Sequence, residues 1–234
     1  MKKTLFLILL FNISFGQNNF FVPIDYEKIN EETNNPKSNL FVEKLKTKFY
    51  SKDSTMTDFE MKNFIYSFGI IDNSTIYEQN SKCMDSLNLL AKKTELDGHK
   101  MISLLKAIVT NNPVNFRAYQ YLIQLSEKLN LDSSFYNNRL NQVVNVIKKT
   151  GDGTSIENGY EIVPIFDIEG FLMLNNLSLK NREDNNFDIK CEVENIDKNT
   201  KNVYFKLNPI TKEIIHDKYV NDEFLTGIWV TKIL

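Results

Sequence analysis

Through the first two thirds of the chain, apolar residues recur every three or four positions. Phe41, Leu45 and Phe49 follow one another at fours. Met61, Phe64, Ile65 and Phe68 form a second stripe, and Met84, Leu87, Leu90 and Ala91 a third. Met101, Leu104, Leu105 and Ile108 make a fourth, and Tyr136, Leu140, Val143 and Ile147 a fifth. Such spacing puts the apolar side chains on one side of a helix. Beyond residue 155 the period changes to two. Ile189, Cys191 and Val193 alternate with Lys190, Glu192 and Glu194, and Asn202 to Leu207 alternates likewise. That pattern predicts strands with one dry and one wet face. The expected fold is α+β: a helical layer over residues 24–150 packed on a small antiparallel sheet over 156–210. Together they form one domain, 17–210, with an extension at 211–234.

The punctuation agrees with the periodicity. Thr57 and Glu60 stand at capping-box spacing, each satisfying a backbone N–H at a helix start. Asp97 caps a later helix, and Ser38 is placed to cap the one carrying Phe41. Asn195 to Asn199 links two alternating runs as a hairpin connection. Tyr160 to Phe166 reads as a strand, in which Pro164, having no N–H, belongs on an edge or at a bulge. Ile168 to Leu177 predicts a short helix. The segment from Ala107 to Pro113, followed by Phe116, Arg117, Ala118 and Tyr119, resembles the corner between tetratricopeptide repeats. The period of that repeat, roughly 34 residues, has no clean second copy here.

Residues 1–16 read as a secretory leader. Lys2 and Lys3 precede a mostly apolar run from Leu5 to Ile13, too short to span a bilayer. Ser14 and Gly16 suit cleavage before Gln17. The expected location is therefore periplasmic or extracellular, and no later segment predicts a membrane span. Loss of the leader removes two lysines and no acid, taking the net charge from −2 to −4. That balance disfavours a nucleic-acid partner, which calls for a basic footprint. Cys83 and Cys191 are the two cysteines. An oxidising compartment permits a disulfide between them, and two buried thiols are the alternative.

The most distinctive local stretch is Lys149 to Glu157, where helical spacing gives way to alternation. It includes Gly151-Asp152-Gly153-Thr154-Ser155. With Asp53 to Thr57, Phe64 to Gly69, Asn112-Pro113, Arg117-Ala118 and Val203 to Asn208, it resembles a family of secreted proteins, mostly from Bacteroidota. That family is known as domain of unknown function 4919. The likeness runs from about Tyr26 to Pro209. It departs in the aromatic segment Phe64–Phe68, and the tail 211–234 lies outside it. The resemblance implies export and one integrated domain, and it brings no activity.

Asp152, Thr154 and Ser155 are the candidate binding residues of that stretch, with Tyr119 from the helical corner. The glycine-rich backbone suits an anion, and the side-chain oxygens suit a hard cation. A phosphate loop, however, requires a lysine that is missing here, and a calcium loop requires more acids. Turn chemistry explains the same residues: Gly151 in a left-handed helix stop, Asp152 and Gly153 in a turn, and Thr154 with Glu157 as a second capping box. His99 and His216 lack metal-ligand spacing. No catalytic residue, cofactor or metal is predicted. The acid pair Asp167 and Glu169 reads as solvated surface. Tyr66, Phe68, Tyr77, Tyr119, Tyr121 and Tyr136 read as core, with a concave peptide-gripping face as the alternative.

The expected function is thus that of a non-catalytic peptide- or protein-binding or scaffold module of the cell envelope. The rivals are an envelope hydrolase with a site at the helix–sheet seam near Asp152, and an inhibitor or immunity-type protein.

Overall fold

The computed structural model describes residues 21–52, 55–70, 74–91, 97–185 and 187–207. The expected leader 1–16, the extension 211–234 and His216 lie outside them. Seven helices precede the first strand among the described residues. They are α1 (Tyr26–Asn34), α2 (Val42–Tyr50), α3 (Asp58–Ser67), α4 (Ser74–Ala91), α5 (Gly98–Asn111), α6 (Phe116–Lys128) and α7 (Ser134–Lys148). Strand β1 (Tyr160–Ile162), helix α8 (Ile168–Leu174) and strands β2 (Leu177–Asn185), β3 (Asp188–Asn195) and β4 (Thr200–Leu207) follow.

The helix starts obey their side chains. The Thr57 hydroxyl accepts from Glu60 N at 3.2 Å, and Glu60 Oε2 accepts from Thr57 N at 2.8 Å, completing the capping box that opens α3. Asp97 accepts from Lys100 N and Asn115 from Ala118 N, each at 3.0 Å. Ser38 departs from expectation. It takes Leu40 N at 2.9 Å and shapes the turn before α2, whose N-cap is Phe41 without a side-chain bond.

Consecutive helices pack on one another from α4 to α7, and α7 returns against α3. Arg139, on the buried side of α7, completes α2. Its guanidinium donates to the carbonyls of Phe49 (2.9 Å), Lys48 (3.2 Å) and Ser51 (3.3 Å), at the helix end whose carbonyls have no partner within the helix. It also stacks over the Phe49 and Phe135 rings, 5.5 and 5.4 Å from their centroids.

The sheet runs β1-β4-β3-β2. β2, β3 and β4 form an antiparallel meander, and β1 pairs parallel with β4. The sheet is therefore mixed rather than antiparallel. The connection through α8 carries the chain from one edge to the other and brings it back in the starting direction, as a crossover does. Ile189, Cys191 and Val193 are buried, and Val203 and Phe205 are buried opposite them, with Cys191 facing Val203 in the register. Among the described residues β1 stands at an edge of the sheet, and it stops at Ile162, so Pro164 lies beyond it and not inside a longer strand.

Helices and strands share one apolar cluster. Its joint is a set of rings: Phe116 on α6, Tyr160 on β1, Phe166, Phe171 on α8 and Phe205 on β4. Their centroids stand 5.1 Å (Phe116–Phe166) to 6.1 Å (Phe166–Phe205) apart. The disulfide allowed by the sequence is not formed. Cys83 on α4 and Cys191 inside the sheet are both free thiols. α4 packs on α5, whereas Cys191 is sealed under the strands.

Candidate functional site

The corner between α7 and β1 is built from the helix end outward. The buried Thr150 hydroxyl donates to Ile147 O at 2.7 Å and accepts from Glu161 N at 3.0 Å, fastening the last turn of α7 to β1. Asp152 N and Gly153 N both donate to Asn158 O, at 3.0 and 2.9 Å. Asp152 Oδ1 accepts from Thr154 N at 2.9 Å and from the Thr154 hydroxyl at 2.7 Å. The Ser155 hydroxyl takes Asn158 N at 3.3 Å. Asp152, Thr154 and Ser155 are thus brought together, but in bonds to their own loop. The two N–H groups that would cradle an anion already face a carbonyl.

Two details differ from the sequence reading. The left-handed residue is Gly153, with φ 70°, and not Gly151. Gly153 O also accepts from Tyr204 N at 3.0 Å, so this turn docks on β4. Thr154 and Glu157 form no capping box, because the chain continues into turns instead of a helix. Tyr119 is remote from these residues in role. It is 1% exposed within the helical core, and burial drives its hydroxyl pKa far upward.

Beneath the corner lies a group of titratable side chains. Tyr66 donates to Glu161 O at 2.9 Å, and Tyr26 meets Tyr66 edge-on at 6.1 Å. The Tyr26 hydroxyl is buried and finds no hydrogen-bond partner among the described residues. Burial raises the Glu161 carboxyl above its ordinary range, against the pull of Lys206 Nζ 3.4 Å away.

A second polar junction was not legible in the sequence. Asp167 caps α8 by accepting from Gly170 N at 3.1 Å, and it also accepts from Arg117 N at 2.9 Å in the first turn of α6. Arg117 clamps it with Nε (3.0 Å) and Nη2 (2.7 Å), while its Nη1 reaches Glu169 at 2.7 Å. Asn112 bridges the same elements, donating to Ile165 O at 2.9 Å and accepting from Val114 N at 3.0 Å. The acid pair is therefore held by an arginine fifty residues earlier in the chain. The nearest signal was the resemblance itself, which included Arg117.

One accessible feature among the described residues is a shallow, open groove of about 620 Å³ beside α2, lined by Pro36, Phe41, Glu43, Lys44, Thr47, Lys48 and Ser51. On its walls Lys44 Nζ donates to Ser38 O at 2.9 Å, and Lys48 pairs with Glu60 of α3 at 2.7 Å. Among the described residues, no three His, Cys, Asp or Glu side chains gather as metal ligands, and no helix is long and apolar enough to cross a membrane.

Helical layer, mixed sheet and open groove define an α+β protein whose buried polar groups join its elements. The chain belongs to the family described as Domain of unknown function (DUF4919), whose model matches residues 27–216. No curated protein and no solved structure matches it.

Proposed function

We propose that this protein is a non-catalytic module that binds a peptide or protein partner in the cell envelope, after export and cleavage at Gly16/Gln17. The groove beside α2 carries the reading. It is open, has hydrocarbon from Pro36 and Phe41 with Lys44 and Lys48 beside them, and stands on a helix whose end is pinned by Arg139. A preformed surface of this kind loses little order when a ligand settles on it. The tetratricopeptide-like corner at Asn112–Tyr119 supports a binding role by analogy of sequence alone. The seam near Asp152 supports hydrolysis less, because the Asp152 carboxylate already accepts two bonds from Thr154.

The test is selection from a displayed library of random peptides, repeated with Thr47→Trp, which fills the groove from an exposed position. Enrichment of a defined motif that disappears in the variant supports the reading. Enrichment that survives the variant, or none at all, refutes it. The N-terminal sequence of the protein recovered from the envelope fraction tests export separately, with Gln17 expected first.

A further inference from the structure

No further inference is drawn: the strongest candidate, the margin of β2 that has no strand beside it among the described residues, carries nothing, because its exposed polar side chains and its bulge at Leu179/Asn181 oppose pairing with another strand and nothing in the structure shows what covers it.

Discussion

At the scale of single residues, the buried polar groups of this protein act as fasteners. Arg139 satisfies three carbonyls at the end of α2, so Arg139→Met should lower unfolding free energy by about 2–4 kcal/mol in urea titration, through orphaned acceptors. Gly153 sits at φ 70°, and a β-carbon there would stand 2.6 Å from the Tyr160 ring. Gly153→Ala should therefore cost about 2 kcal/mol by the same measurement, because the residue is both strained and crowded. Glu161 gives a pH signature. Burial raises its folded-state pKa above the ordinary value near 4.5, so the folded protein holds this proton more tightly than the unfolded chain. Stability from this group is fullest below the unfolded value and is lost as pH rises through the raised one. Glu161→Gln should accordingly raise the melting temperature at pH 7 relative to wild type, and the gain should vanish in acid. Equal melting temperatures at pH 7 would show that the Lys206 contact fully offsets burial.

At the scale of elements, α6 and α8 start at the same carboxylate. Asp167 faces both N-termini, whose dipoles favour a negative charge there, and Arg117 clamps it from the side. Asp167→Ala leaves that arginine and two first-turn N–H groups without it, so a loss of about 3 kcal/mol is expected in chemical denaturation. Helices α2 to α7 were legible in the sequence because each buries a stripe at helical spacing, and β3 and β4 because each alternates. β2 was not. Only Leu177 and Leu179 face inward; the rest of this strand is exposed and polar, and a bulge at Leu179/Asn181 breaks its period. The parallel partner of β1 was equally hidden, since a three-residue strand carries too little pattern to specify a neighbour 45 positions away. In the candidate site, the turn character of Asp152 and Thr154 could be read from residue type. Which glycine took the left-handed angle depended on the docking of Tyr204 N on Gly153 O, a long-range contact. The groove beside α2 brings Pro36 together with Phe41, Lys44 and Lys48, and helical periodicity does not record such a grouping.

At the scale of the whole molecule, the ring cluster from Phe116 to Phe205 makes the helical layer and the sheet share one interior. Far-ultraviolet ellipticity and tyrosine fluorescence should therefore report one coincident denaturation midpoint. Two separated transitions would mean that the layers hold independently. The two thiols offer a second global readout. Burial pushes the Cys191 thiol up to about 11, and its side chain is fully enclosed. An aromatic disulfide reagent should label Cys83 in the native protein and Cys191 only on unfolding.

The strand order has a bearing on how the molecule is made. β4 ends the described chain, yet it lies between β1 and β3 in the sheet. β1 thus leaves the ribosome with no neighbour to pair with, and waits until residue 207 has been synthesised. A nascent or truncated chain ending before Thr200 would hold two unpaired strand margins and an open aromatic joint, a form suited to capture by a chaperone and exposed to proteases.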